Sequence, residues 1–458
     1  MHELLKIILV VLTAILLRLI YHYVILGVGG EFGHGSDTGK YVGRALAVIK
    51  FGHSGIITDD GELLRTFGRL PIYPWFLSVI FRIFGSENFY AVVVVQAFVD
   101  GITVFSVAMA AWSLNRSWAL PAAIMAAMLP NLISHSAWVL TETLFVMFFT
   151  VGLTLLLWGI EGRNRKLLLL LAGVGFGLAL MTRPVLIFFP VFLYPLLLIN
   201  LWRKDGISAL SAILISLLPI MMMIIIITPR LIDTYNEYGQ PVLTTQSGTH
   251  ALKWVIPCLK TPWTCGSMSN EWKKNKPIVD KRLAEVGVDA HENPVTVDMI
   301  KRELAKDLLY DIPLSTISFG MMVGGVRNLF QTSFYGITHQ LEQHTSFVSA
   351  MSGETIKKKL INFVRINADR PMMWIWTVAQ LTLLISRGVQ FLGFCQSLND
   401  RLLCKRSILL FGIIIYFLIV NGPIGNAKYR LPMEPILIIY TIIGIEFMQR
   451  LFNKASGR

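Results

Sequence analysis

The chain has 458 residues, 54% of them apolar and only 15% charged, against about 25% charged in an ordinary soluble domain. With a mean hydropathy of +0.61 and many long apolar runs, a water-soluble enzyme, a disordered chain and a disulfide-rich secreted scaffold are excluded, which leaves a multi-pass membrane protein. The net charge of +13, from 41 Lys and Arg against 28 Asp and Glu, is assigned to cytoplasmic loops facing anionic lipid, so no nucleic-acid partner is expected.

Only helices and closed barrels satisfy their backbone polar groups inside a bilayer, and about 20 helical residues cross its core. The apolar runs are continuous rather than alternating, so they predict helices. Ten spans are expected, near residues 4–27, 89–111, 118–134, 138–159, 167–182, 185–201, 207–228, 372–394, 407–422 and 435–449. The first is not expected to be a cleaved signal, because Arg18 interrupts it and no small-residue cleavage pattern follows.

Basic residues collect after every second span: Arg116, then Arg163, Arg165 and Lys166, then Arg203 and Lys204, then Arg401, Lys405 and Arg406, and finally Arg450, Lys454 and Arg458. By the positive-inside rule these loops are cytoplasmic, and so is the amino terminus. Residues 28–88 and 229–371 then lie outside the cytoplasm. Three parts follow: an N-terminal membrane module, 1–228, that includes the outer loop 28–88; an extracytoplasmic region, 229–371; and a C-terminal membrane module, 372–458. Within the middle part, Asn270 to Lys306 is charged and helix-forming, and Leu314 to Phe330 is expected to lie on the bilayer as an interfacial helix.

Cys258 and Cys265 fall in the outer region, between Pro257, Pro262 and Gly266, and are a disulfide candidate in an oxidising compartment. Two unpaired loop cysteines are the alternative. Cys395 and Cys404 fall in a cytoplasmic loop and are expected to stay reduced.

Polar groups are densest in the first outer loop. It reads Gly35, Ser36, Asp37, Thr38, Gly39, Lys40, Tyr41 before an apolar helical stretch, then Gly68, Arg69, Leu70, Pro71, Ile72, Tyr73, Pro74, Trp75 before another. Two further segments stand out: Val139 to Phe145, with Thr141, Glu142 and Thr143 opening the fourth span, and Lys428 to Pro435, with Tyr429, Arg430 and Pro432 before the last.

Together, in this order, the four segments resemble the membrane glycosyltransferases of the C superfamily. Among these the group of dolichyl-phosphate-mannose protein mannosyltransferases and lipid A aminoarabinose transferases is most similar. The likeness covers most of residues 1–200 and the final 40, with Ile72 standing where the family often carries Gly. It implies an all-α integral membrane enzyme in a prokaryotic cytoplasmic membrane, its active site facing away from the cytoplasm. Such an enzyme takes a sugar from a polyprenyl-phosphate donor and passes it to a lipid, glycan or protein acceptor.

The residues themselves fit that chemistry. An inverting transfer needs a carboxylate to take the acceptor's proton and cations to hold the departing phosphate. Asp37 is the candidate base, although an Asp just before a helix also serves as an N-cap. Arg69 is the first candidate for the phosphate, because a guanidinium donates two parallel hydrogen bonds and keeps its charge when desolvated; an interfacial anchor is the alternative. In the aminoarabinose transferases the equivalent position is a Lys associated with lipid phosphate. Lys428, Arg430 and Arg183 are further phosphate candidates, equally readable as interfacial anchors. Glu142 is expected to orient the site or to take part in proton transfer, and Asp100 to make an interhelical contact.

Tyr41, Tyr73 and His34 are candidate substrate contacts. One His beside one Asp is a weak metal signal, so no metal or other cofactor is expected. No Gly-rich nucleotide loop appears in its strand and helix context, which points to a lipid-linked donor. The rival readings are a polyprenyl-lipid or small-molecule transporter, which would place ionisable groups at the midplane, a ligase or polymerase of lipid-linked oligosaccharides, and a non-catalytic scaffold.

Overall fold

The computed structural model describes residues 2–26, 37–162, 164–202, 207–263, 265, 268–287, 293–332 and 371–456. Helix α1 (His2–Leu26) leads to α2 (Thr38–Phe51), a short antiparallel hairpin of β1 (Gly55–Ile57) and β2 (Leu63–Arg65), and α3 (Ile72–Phe84). Then come α4 (Phe89–Leu114), α5 (Ala119–Met128), α6 (Pro130–Ser136), α7 (Glu142–Glu161), α8 (Arg165–Leu180), α9 (Phe189–Leu201) and α10 (Ala209–Tyr238). A polar lobe follows, with α11 (Ser247–His250), a π-helical turn over Ala251–Val255, α12 (Ile256–Lys260), α13 (Met268–Val286), α14 (Pro294–Tyr310) and α15 (Leu314–Phe330). Helices α16 (Pro371–Asn399), α17 (Cys404–Asn421) and α18 (Glu434–Ala455) close the described chain.

The protein is a predominantly helical membrane protein, and the expected count of ten spans is not reached by length and composition among the described residues. Among the described residues seven helices are long and apolar enough to cross a bilayer, or nine if each of two bent pairs counts as one span. The expected fifth and sixth spans are α8, of 16 residues, and α9, of 13 residues. At a rise of about 1.5 Å per residue they reach about 24 and 20 Å, yet both run between the two ends of the bundle, since Arg183 at their junction pairs with Glu142 at the start of α7 while Trp202, just past α9, accepts from Lys405. The expected third span is broken: α5 and α6 meet at 52°. Pro130 opens α6 and has no N–H to give back to the preceding turn.

That break is where the buried charge of the first helix goes. The Arg18 guanidinium, with no exposed surface, donates to Asp100 Oδ2 at 2.6 Å, to the Ala127 carbonyl at 2.6 Å and to the Ala126 carbonyl at 3.2 Å. Asp100 thus makes the interhelical contact expected of it, and Arg18 supplies the donors that Pro130 withholds from the end of α5.

Between α7, α8 and α10 the helices approach through small residues. A Cβ on Gly175 would stand 2.9 Å from the Gly152 backbone, and one on Gly173 would run into the backbone of Pro219. The core of the bundle fills with rings, Phe149 lying between Phe176, Phe189 and Phe417 at 5.6, 5.9 and 5.1 Å.

The bundle has two chemically different ends. At one, Lys405 donates to the Trp202 carbonyl at 2.9 Å, Arg406 pairs with Glu161, and Trp118 donates to Glu446 at 2.7 Å. At the other lie the first turns of α2, α3, α7 and α18, beside the polar lobe. The lobe's own core is Leu252, Val279, Leu283, Val297, Ile300 and Leu304. Cys258 and Cys265 are bonded to each other, while Cys395 and Cys404 are free. Helix α15 turns 110° from α14 and exposes Leu314, Phe319 and Met322, an apolar face of the kind an interfacial helix presents.

Candidate active site

Asp37 stands immediately before α2, yet its side chain makes no capping bond to the helix. Its Oδ1 instead accepts from Lys40 Nζ at 2.9 Å and from Arg69 Nη2 at 2.6 Å. Burial opposes the charge, but the Lys40 hydrogen bond and the charges of Arg69, Lys40 and Lys428 outweigh it, so the carboxyl titrates below its usual value. The Asp37 side chain remains 41% exposed, against 18% for Arg69.

Arg69 is presented by its backbone. Arg230 of α10 donates to the Phe67 and Arg69 carbonyls, both at 3.1 Å, and stacks over the Phe67 ring at 4.2 Å. Thr244 donates to the Gly68 carbonyl at 3.2 Å. There is little room for anything else at Gly68, where a Cβ would stand 3.1 Å from Gln246 Nε2. The Arg69 guanidinium lies over Tyr41 at 5.4 Å, and its Nε is buried with no hydrogen-bond partner among the described residues. A buried guanidinium N–H without an acceptor costs free energy until something accepts from it.

On the far side, Glu142 Oε1 pairs with Arg183 Nη1 at 2.5 Å, and Glu142 is almost fully buried. Thr141 donates to its other oxygen at 3.4 Å. Arg183 precedes Pro184 in an extended conformation and lies over Phe145 at 5.8 Å. Lys428 completes the ring. Its ammonium lies 5.2 Å over Tyr429 and has no carboxylate at ion-pair distance among the described residues, while its charge is felt at Asp37 and at His250.

The expected residues therefore divide. Asp37, Arg69 and Tyr41 are in contact, Glu142 and Arg183 pair, and Lys428 acts on Asp37 through space. Two expectations are corrected. Arg430, read as a phosphate ligand, is 3% exposed. Its Nε donates to Glu434 Oε1 at 2.7 Å, and its Nη1 to the carbonyls of Asn328, Leu329 and Gln331 at 2.9 to 3.1 Å. Through Nε and Nη1 it holds the end of α15 to α18, so these donors are engaged inside the protein. Tyr73, read as a substrate contact, has no exposed surface. It donates to Gln96 Oε1 at 2.9 Å and meets Tyr41 edge-on at 5.3 Å, so it supports Tyr41 from beneath. His34 lies outside the described residues, as do Arg163, Arg203 and Lys204.

Three residues not singled out in the sequence belong to the site. Lys40 sits one helical turn from Asp37, a spacing that could have been noticed. Arg44, one turn further, donates to the Lys40 carbonyl and to Thr66 Oγ1; burial, with the adjacent Arg69 charge, pushes it down to about 10. His250 arrives from the polar lobe, with an exposed ring in a recess where burial and the charges of Lys428 and Arg183 lower its basicity. No local pattern around His250 points to it. Its turn is set by Asp298, which accepts from Ser247 Oγ at 2.5 Å and from the Gly248 N–H at 2.8 Å. Among the described residues no three His, Cys, Asp or Glu side chains come together, and with two cations on the one carboxylate oxygen these side chains alone do not make a metal site.

Residues 69–227 match the family described as dolichyl-phosphate-mannose-protein mannosyltransferase. No curated protein matches the sequence. Among solved structures, the Archaeoglobus fulgidus oligosaccharyltransferase tethered with an acceptor peptide aligns at a TM-score of 0.57 and 12% identity, over 99% of this chain and 50% of that one. The same archaeal enzyme, AglB, in complex with an inhibitory peptide and a dolichol-phosphate, aligns at 0.54 and 12%, over 100% and 52%. ArnT from Cupriavidus metallidurans bound to undecaprenyl phosphate aligns at 0.42 and 14%, over 98% and 79%, a likeness too loose to carry weight. The chain spans about half the length of the archaeal structures it matches. With the family match running from Arg69 into α10, the chain has the fold of the C-superfamily membrane glycosyltransferases.

Proposed function

We propose that the protein is a glycosyltransferase that moves a sugar from a polyprenyl phosphate to an acceptor on the side of the membrane opposite its basic loops, the outer face of a prokaryotic cytoplasmic membrane. The observation that carries this reading is Asp37, a partly exposed carboxylate held by Arg69 and Lys40 and under the charge of Lys428. A dolichol-phosphate bound by the archaeal relative of the same fold supports the donor class.

In this reading the donor's phosphate takes the place of the Asp37 carboxylate on Arg69, whose orphaned Nε supplies a second donor for a two-pronged contact. Lys428 and Arg183 add charge from the other side. Losing Arg69 raises the basicity of Asp37 as the donor arrives. The acceptor oxygen attacks the anomeric carbon from the face opposite the phosphate, the carbon–oxygen bond to phosphate breaks with its electron pair leaving on the polyprenyl phosphate, and Asp37 takes the acceptor's proton. One displacement inverts the anomeric centre. Glu142 holds Arg183 in place, and Tyr41 forms the floor under Arg69.

Transfer of an oligosaccharide in place of a single sugar is a second reading, favoured by the fold likeness to an oligosaccharyltransferase. Transport is not favoured: the intramembrane charges Arg18 and Asp100 are closed on each other and on backbone carbonyls. The test is incubation of the purified protein, in lipid nanodiscs, with polyprenyl-phosphate sugars. Release or transfer of sugar that disappears in Asp37→Asn supports the reading; full turnover by that variant removes Asp37 as the base.

A further inference from the structure

Next to the cleft, on the polar lobe, two lysines form no ion pair with any carboxylate among the described residues, although Asp298 and Asp280 act on one of them through space. Lys253, from the π-helical turn, stands 4.3 Å over the face of Trp272, and Lys301 of α14 stands 5.7 Å over the same ring. One indole thus carries two ammonium groups. Lys301 also donates to Thr249 Oγ1 at 3.2 Å, and Thr249 is the neighbour of His250, whose basicity the charges of Lys428 and Arg183 lower. The pair is thus joined through Thr249 to the turn that carries His250.

The nearest carboxylates do not neutralise it. Asp298 is committed to Ser247, Gly248 and Arg302, and Asp37 to Lys40 and Arg69. Burial lowers the basicity of both lysines; Lys40 adds to the fall at Lys253, and Lys253 adds to that at Lys301, where Asp298 and Asp280 only partly oppose it. Like charges gathered at this cost, on a rigid aromatic surface, are what an anion subsite requires.

We infer that Lys253 and Lys301, on Trp272, form a subsite for a dianionic group of the phosphate class carried by the acceptor. The subsite is separate from the donor-phosphate position at Arg69 and Lys428. Only the assignment of this anion to the acceptor rests on the glycosyl-transfer reading. An acceptor held here presents its nucleophile past His250 toward Asp37.

The experiment is amine labelling of the full-length protein in nanodiscs with a limiting acetylating reagent, read lysine by lysine by mass spectrometry. Lys253 and Lys301, being less basic, are acetylated faster than the exposed Lys273 and Lys274 of α13. Inorganic phosphate at about ten times its Kd slows labelling at both about tenfold and leaves α13 unaffected. In Lys253→Gln the protection at Lys301 is lost, and Lys301→Gln, read at Lys253, gives the reciprocal result should either variant fold poorly. Polyprenyl monophosphate in the bilayer gives no protection. Absence of protection by phosphate overturns the subsite, and protection by polyprenyl monophosphate alone returns these lysines to the donor. Protection is read without turnover, so it stands or falls separately from Asp37 as base.

Discussion

Two segments of this protein carry the same tripeptide before a helix: Arg69-Leu70-Pro71 ahead of α3 and Arg430-Leu431-Pro432 ahead of α18. Both lie at the same end of the bundle, and their arginines meet opposite fates. Arg430 finds Glu434 four residues on, within hydrogen-bond reach, and three backbone carbonyls besides. At the matching position after Arg69 stands Tyr73, which packs downward. Arg69 must look across the loop to Asp37, and its Nε–H has no partner among the described residues. An arginine buried at 3% exposure and bonded to a buried carboxylate and three carbonyls is a fastener. One held by a partly exposed carboxylate remains available to a ligand.

The contrast can be tested from either side. The largest effect is expected at Asp37→Asn, which should lower transfer about 10²–10⁴-fold, the range for loss of a general base. Its melting temperature should barely move, because a partly exposed pair contributes under about 1 kcal/mol. Next is Glu434→Gln, with the inverse signature: it strands the buried Arg430 charge and should cost about 3–5 kcal/mol of stability, seen as a lower melting temperature in detergent. If Glu434→Gln melts like the parent protein, the fastener description is wrong.

Arg69→Ala should come third, raising KM for the polyprenyl-phosphate sugar about 10–100-fold, the worth of a charge-assisted hydrogen bond or two, with a smaller fall in kcat. An unchanged donor KM would assign Arg69 to anchoring. The smallest effect is on pH. Because surrounding cations hold the Asp37 carboxyl below its usual 3.8, the group stays ionised as pH falls, and kcat/KM should be flat across pH 5–7. Its acid limb should appear only below that value. Removing the Arg69 charge raises the Asp37 pKa, so in Arg69→Ala the limb shifts upward; a downward shift would contradict the pairing.

Much of this was legible in the order of residues. Continuous apolar runs predict most of the helices found, and Asp37, Arg69, Glu142 and Lys428 stand out as polar groups at the edges of those runs. The errors came where contacts distant in sequence decide. Nothing near Tyr73 says that Gln96 will take its hydroxyl, and nothing near Arg430 says that the end of α15 will present three carbonyls to it. The apolar stretches at α8 and α9 read as full-length spans, and the turn at Arg183 and Pro184 leaves helices of 16 and 13 residues there.

The sequence by itself determined the membrane class, since burying so much apolar surface without lipid would be unworkable for a chain with so few charges. It also determined where polar chemistry could reach water. Only the tertiary structure decided which charges are closed and which are open, because a guanidinium's availability depends on whether acceptors surround it, and those acceptors come from elsewhere in the chain. The same holds for His250, Lys253 and Lys301, brought to the cleft by a lobe whose helices are pinned through Asp298.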